Sequence, residues 1–285
     1  GYHGTETALT LPASFTAYDG TLVEKYEIAE RAFYGCTALK SVTIPESVTV
    51  IGENAFADCT SLTSVIIPES VTVIGESAFS DCYGLTSVII PDSVTSIGSY
   101  ASNRCGNLTS VTIGSGVQSI GSSAFSYCYK LVEVYNKSAL SITAGGTAHG
   151  EVARYARNVY TQEGGSRMSE TSDGYRFYYD GSKGYLVGYH GTETALTLPA
   201  SFTAYNGTLV EKYEIAQYAF YNCTALKSVT IPESVTGICD YAFTYCEGLT
   251  SVIIPDSVTS IGNGAFRYCN SLTSVIIPDS VTSIG

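Results

Sequence analysis

Hydrophobic and polar positions along this chain recur with a fixed period. Leu39, Leu62, Leu85, Leu108 and Leu131 stand 23 residues apart, and Leu226, Leu249 and Leu272 resume the same spacing. Around each leucine runs one pattern, clearest in Leu62-Thr63-Ser64-Val65-Ile66-Ile67-Pro68, then Val71, Ile74-Gly75, Ala78-Phe79 and Cys82. Self-similarity at such a period is the signature of stacked coils rather than of one globular core. The alternation at Ser64-Val65-Ile66-Ile67 predicts a short strand with one buried face. Pro68 ends it, because proline has no N–H for the next ladder bond. The Pro-Glu/Asp-Ser segments (Pro45-Glu46-Ser47, Pro91-Asp92-Ser93) turn the chain. The Val-Thr-x-Ile-Gly segments predict a second extended stretch on the opposite side, and Ala-Phe points inward before the next coil. A single coil cannot bury its own Leu, Val, Ile and Phe, so stability has to come from stacked neighbours. The pattern therefore predicts a β-rich solenoid.

Over this repeat lies a longer one. Residues 1–49 return almost unchanged as 188–236. The expected organisation is a single continuous solenoid over 1–285, with a first repeat block at 1–136, irregular Tyr/Gly-rich connecting coils at 137–187, and a second block at 188–285 that stops mid-repeat. Two solenoids hinged at the Gly/Ser-rich stretch is the alternative. The start at Gly1 and the stop at Gly285 read as the ends of an excised fragment.

Three departures from the period carry their own expectations. Where other coils have Ala-Phe the fourth has Ala101-Ser102, which interrupts the spine Phe33, Phe56, Phe79, Phe125; Tyr100 is expected to swing in, with weaker packing over 95–110. A ten-residue insertion centred on Asp19-Gly20, copied at Asn206-Gly207, suits a hairpin with a type I′ turn, whose two central residues both need positive φ. Within the irregular segment, Glu151–Arg157 suits a short helix and Asn158-Val159-Tyr160 a strand. Residues 162–173 suit a loop, and Tyr175–Tyr179 with Tyr185–Tyr189 a second hairpin.

Composition narrows the function classes. Only 14% of residues are charged and the net charge is −12. Lysine and arginine are too few to neutralise a phosphate backbone, so no nucleic-acid partner is expected. No stretch approaches the ~18 apolar residues of a membrane span, so no membrane insertion is expected either.

The Ser-Val-x-Ile-Pro, Ser-Val-Thr-x-Ile-Gly, Ala-Phe and Cys-x-x-Leu elements resemble the BspA-like leucine-rich repeats, over nearly the whole chain and least in 137–184. The resemblance implies a right-handed leucine-rich-repeat solenoid of 23-residue coils, mostly strands and turns with little helix. It also implies a surface or secreted location, with binding or adhesion to host matrix or other surface proteins. It names no ligand.

Chemistry offers little else. Eight of the nine cysteines (Cys36, Cys59, Cys82, Cys105, Cys128, Cys223, Cys246, Cys269) share one repeat position, three residues before the repeat leucine. That register stacks them inside the coils as free, buried thiols. Cys239 stands outside the ladder as a candidate exposed thiol. No metal site, cofactor or catalytic constellation is expected: His3 and His190 are copies of one position, and the nucleophile-elbow, zincin and P-loop motifs are missing. The chain is expected not to be an enzyme.

Binding has better material. The outward residues of the main strand row are Ser41, Thr43, Ser64, Ile66, Ser87, Ile89, Ser110, Thr112, Glu133 and Tyr135, then Ser228, Thr230, Ser251, Ile253, Ser274 and Ile276. Aligned exposed isoleucines mark contact surfaces, so Ile66, Ile89, Tyr135, Ile253 and Ile276 are the candidate ligand-binding residues. The bland alternative keeps isoleucine there for its β-propensity. Tyr155, Tyr160, Tyr175, Tyr178, Tyr179, Tyr185 and Tyr189 form a second candidate, or simply pack the irregular coils. Two functions follow: an adhesin that contacts host matrix proteins, or a stalk that spaces another domain. The expected state is a monomer, with end-to-end pairing of open coil strands as a further route to self-association.

Overall fold

A computed structural model describes residue 2 and residues 4–285, so the expectation placed on His3 lies outside the described residues. The chain divides into two units, Gly1–Ser166 and Arg167–Gly285. Each is a β-solenoid of coils about 23 residues long.

In the first unit, one side of the coils carries short parallel strands whose central residue points inward. Ala8–Thr10, Ser41–Thr43 and Ser64–Ile66 form one sheet, and Ser87–Ile89, Ser110–Ile113, Glu133–Asn136 and Asn158–Tyr160 another. The opposite side is a single parallel sheet of Tyr26–Ile28, Val48–Ile51, Val73–Ile74, Ser96–Ile97 and Ser119–Ile120. Leu62, Val65, Ile74, Phe79 and their repeats fill the space between. On these sides N–H groups donate both ways: Thr63 N to Lys40 O (2.9 Å) and Gly75 N to Ile51 O (2.8 Å) lead back one coil, and Ile90 N to Thr112 O (2.9 Å) leads forward.

The third side consists of consecutive turns, and there the backbone bonds between coils run forward. Asn54, Phe56 and Asp58 donate forward to the carbonyls of Glu76, Ala78 and Ser80 at 2.8, 2.8 and 2.9 Å. Alternate N–H groups close turns inside the coil, as in Ala57 N to Asn54 O (3.2 Å). Two residues per coil adopt positive φ to achieve this: Asn54 and Asp58, Ser77 and Asp81, Tyr100 and Arg104. The left-handed region costs an L-residue about 1–2 kcal/mol. Two coils relieve the strain with glycine, Gly35 at the Asp58 position and Gly264 at the Ser77 position, with φ of 69° and 57°. We therefore expect Ser77→Gly to raise the unfolding free energy by about 1 kcal/mol. A lower denaturation midpoint for that variant would show that the serine conformation is not strained.

The second unit opens with an antiparallel meander, Met168–Glu170, Tyr175–Tyr179 and Gly184–Tyr189. The last of these strands pairs in parallel with Tyr213–Ile215, followed by Val235–Ile238, Ser260–Ile261 and Ser283–Ile284. The other side carries Ala195–Thr197, Ser228–Thr230 and Ser251–Ile253, extended by the bridge Ile253 to Ile276.

Several expectations need correction. Glu151–Arg157 is not a helix; a single turn at Ala148–Glu151 occurs instead, with His149 and Gly150 at φ of 50° and 66°. The coil edge imposes that shape, because Phe125 N donates to Gly150 O at 2.8 Å and continues the forward ladder. Residues 162–173 are not wholly loop, since Met168–Glu170 pairs with Tyr175–Tyr179. The hairpins Phe15–Thr16/Leu22–Val23 and Phe202–Thr203/Leu209–Val210 do form, but not on type I′ turns. Only Gly20 and Gly207 have positive φ (85° and 84°), and Gly20 N bonds Ala17 O while Ala17 N bonds Thr21 O. That is a type I turn with a glycine bulge, which spares Asp19 and Asn206 the left-handed conformation. Asp19 Oδ1 and Asn206 Oδ1 instead accept from the N–H groups of Thr21 and Thr208. Tyr100 stays exposed and does not fill the gap in the phenylalanine spine; the small Ser102 and Ala101 are buried there. The left-handed backbone at Tyr100 (φ 57°) directs its ring outward.

Candidate functional site

Strand alternation decides which side chains reach solvent. Val65, Val88 and Val252 are buried, so the residues immediately before and after each of them face outward together. Ile66, Ile89, Ile253 and Ile276 are 69%, 65%, 72% and 81% exposed. Such exposure for a large aliphatic side chain is informative when it repeats at one register. In the first unit Ile66 pairs with Thr43, and Ile89 with Thr112, which continues to Tyr135 and Tyr160. In the second unit the row is Thr197, Thr230, Ile253, Ile276. The four isoleucines thus form two exposed pairs, one in each unit.

Tyr135 is placed differently. Its ring stacks on Tyr160 at 4.9 Å and 8°, leaving it half-buried. Glu133, expected on the exposed face, is buried: Asn158 Nδ2 donates to Oε1 at 3.1 Å and Ser166 Oγ to Oε2 at 2.6 Å. The strand Asn158–Tyr160 and the loop after it cover this end of the face, an arrangement that period and alternation do not encode.

The cysteine ladder is a packing device. Cys59, Cys82, Cys105 and Cys128 donate their thiols to the carbonyls of Phe33, Phe56, Phe79 and Ser102 at 3.1–3.2 Å, always one coil back along the spine. Cys246 and Cys269 do the same to Phe220 and Phe243. All nine cysteines are free. Burial pushes the Cys59 and Cys128 thiols up to about 12, and Cys82 and Cys105 well above their ordinary 9.0. These groups are poor nucleophiles at neutral pH. A thiol-specific reagent should label only the half-buried Cys36, Cys223 and Cys239 quickly in the native protein, and all nine after denaturation. Rapid labelling of Cys82 or Cys105 would contradict the buried ladder. Cys239 lies 3.6 Å from Glu214 Oε2, beside the Lys183–Glu214 ion pair.

The turn side carries a feature that the repeat pattern alone does not announce. In the second unit Tyr218 stacks on Tyr241 (5.3 Å, 8°) and Tyr245 on Tyr268 (4.6 Å, 16°), with Tyr221 edge-on to Tyr218 and Tyr245. Arg267 covers the end of the row at 4.6 Å from the Tyr268 ring. In the first unit Arg31 and Arg104 stand over Tyr34 and Tyr127. The signal available in sequence was the recurrence of tyrosine at the repeat offset of 23. Tyr175 and Tyr178 of the irregular segment are buried and pack the meander.

Among the described residues no group of three or more His, Cys, Asp or Glu side chains could hold a metal ion. Nor is any helix among the described residues long and apolar enough to cross a membrane.

Comparison with known proteins follows the same lines. A family model described as "BspA type Leucine rich repeat region" matches six copies, over residues 26–144 and 210–285, more than half of the chain. No curated protein matches the chain by sequence. Among solved structures, the chain is similar to a leucine-rich repeat protein of T. pallidum (22% identity, 98% of this chain, 81% of that one, TM-score 0.40). It is also similar to a leucine rich cell surface protein from Faecalibacterium prausnitzii A2-165 (25% identity, 99% and 78%, TM-score 0.40). A third is a leucine-rich repeat protein from Bacteroides ovatus (22% identity, 98% and 82%, TM-score 0.42).

Proposed function

The chain belongs to the BspA-type leucine-rich-repeat family, and from that premise we propose that it is a cell-surface or secreted protein that binds other proteins through its strand face. The single observation that carries this reading is the pairing of exposed isoleucines at one register in both units, Ile66 with Ile89 and Ile253 with Ile276. Isoleucine at such positions is not needed for the fold: Thr43, Thr112 and Thr230 hold the same register in neighbouring coils. Threonine has β-propensity of its own, so β-propensity does not select isoleucine over it. Extracellular-matrix proteins are the proposed partners, with Tyr135 at the margin of the contact.

The test is binding of the purified protein to immobilised matrix proteins and mucin, compared with Ile66→Asp/Ile89→Asp. Saturable binding that the variant loses, with an unchanged circular-dichroism spectrum, is the expected result. Burial of an unpaired carboxylate at a contact should weaken binding by at least about tenfold. Binding that persists in the variant would move the contact elsewhere, with the tyrosine-rich turn side the next surface to alter. A folded protein that binds nothing would favour the stalk reading, which the near-identity of residues 1–49 and 188–236 supports.

A further inference from the structure

Over four coils of the first unit, the outward strand positions form two columns. Ser41, Ser64, Ser87 and Ser110 make one, and Thr43, Ile66, Ile89 and Thr112 the other. Residues two apart on a strand lie about 6.6 Å from each other, so a tall ridge centred on isoleucine runs beside a shallow serine furrow. Neither column holds a charged residue, although the chain carries a net charge of −12. Charges flank the face instead. The exposed Lys40 precedes the strands, and the exposed Glu46, Glu69 and Asp92 follow them in the turns. The second unit repeats the plan with Ser228, Ser251 and Ser274 beside Thr230, Ile253 and Ile276, Lys227 before them, and Glu233, Asp256 and Asp279 after.

We propose that this face docks on the same face of a second copy of the chain, about a two-fold axis parallel to the coil-stacking direction. The proposal rests on the reading of the isoleucine face as a contact surface, and it names the occupant. Three features select a second copy. An uncharged face is where two strongly acidic chains can approach with least repulsion. The chosen axis reverses strand direction, so each isoleucine ridge falls into the partner's serine furrow, and an isologous contact of this kind closes on itself. The same reversal sets Lys40 against the partner's Glu46 side and separates the two acidic turn columns. A two-fold axis along the strands would set acid against acid. Matching is possible because both copies share one coil spacing, about 4.8 Å.

The face of one unit covers only about 200 Å², four coils by the width of two columns, against roughly 800 Å² per partner in a stable dimer. A single contact is therefore weak. Each chain presents the face twice, once in each unit.

Sedimentation equilibrium up to about 1 mM tests the assignment on the full chain. We expect concentration-dependent association that Ile66→Asp/Ile89→Asp/Ile253→Asp/Ile276→Asp weakens by at least about tenfold. The milder set with serine at those four positions should weaken it as well, and circular dichroism should report an unchanged fold for both. Lys40→Glu/Lys227→Glu should weaken association, and adding Glu46→Lys/Glu233→Lys should restore it. Association indifferent to the isoleucines, or absent at the highest concentration, overturns the proposal. Strengthening by Lys40→Glu/Lys227→Glu overturns the axis. Isoleucine-dependent matrix binding without self-association would remove the second copy as occupant and leave the contact surface standing. Isoleucine-dependent self-association without matrix binding would do the reverse to the matrix reading.

Discussion

The protein should unfold cooperatively as pH rises between about 9 and 12, a range in which its carboxylates are already ionised and do not change charge. The cause is the thiol ladder. The Cys59 and Cys128 thiols lie at about 12 against an ordinary 9.0, held up chiefly by burial. Cys82 and Cys105 are raised in the same direction, with neighbouring ladder thiols adding to burial. A thiol whose pKa is raised on folding stays protonated in the native state while the unfolded chain already ionises. Between the two values the unfolded chain binds fewer protons, so stability falls as pH rises. Below pH 9 the contribution is fully present; above about 12 it is gone. Three pH units correspond to about 4 kcal/mol at most for each of Cys59 and Cys128, a large part of the ordinary 5–15 kcal/mol stability of a domain, and Cys82 and Cys105 act in the same direction. The measurement is the urea midpoint at pH 8, 9.5 and 10.5, together with thiolate absorbance. Thiolate signal should appear in step with loss of secondary structure. A Cys59→Ala/Cys105→Ala variant should lose stability less steeply with pH, by about 1.4 kcal/mol per pH unit for each thiol removed. Unchanged midpoints through pH 10.5, or an equal slope in the variant, would exclude the ladder as the cause.

Phe56→Ala should be the most damaging single truncation in the first unit, costing about 3–5 kcal/mol. Its ring is fully buried and lies between Phe33 and Phe79, at 4.9 and 5.5 Å and within 4° of parallel. Truncation opens a cavity between two coils whose backbones are already fixed by ladder bonds, so the site has little freedom to collapse. Phe125 is equally buried, but its preceding coil carries Ser102 in place of a ring. Phe125→Ala should therefore cost less, by about 1–3 kcal/mol, the value of the two ring pairs that Phe56 makes. Chemical denaturation of the two variants side by side checks the difference. Equal losses would mean that ring stacking adds nothing to area burial.

The repeat was legible because stacking makes every coil answer to the same constraint. Leucine, valine, isoleucine, phenylalanine and cysteine recur at fixed offsets, and the structure buries them at those offsets, from Leu62 and Val65 to Phe79 and Cys82. The outward isoleucines followed from the same alternation. The forward-bonded turn side was not legible, since its left-handed residues include Asn, Asp, Ser, Arg and Tyr with little in common. Their conformation answers to carbonyls in the next coil rather than to local preference. Glu133 shows the same limit: its alternation points outward, but Asn158 and Ser166, 25 and 33 residues away, cover it.

The hairpin copies separate the two kinds of information most clearly. Phe15 and Phe202 sit in almost identical sequence, and both hairpins form with the same turn, because Asp19-Gly20 and Asn206-Gly207 supply the same glycine bulge. Yet Phe15 is 43% exposed, while Phe202 is buried under Phe177 at 4.1 Å. Tyr26 and Tyr213 differ likewise, although both donate to a proline carbonyl at 2.6 Å. Sequence alone determined what depends on the next few residues and on the repeat offset: strand, turn, inward or outward, and the coil period. Tertiary structure decided what depends on which segment lies above, as the Tyr175–Tyr179 strand lies above the second hairpin. Burial is a property of the neighbour as much as of the residue, and the neighbour here comes from a part of the chain outside the repeat.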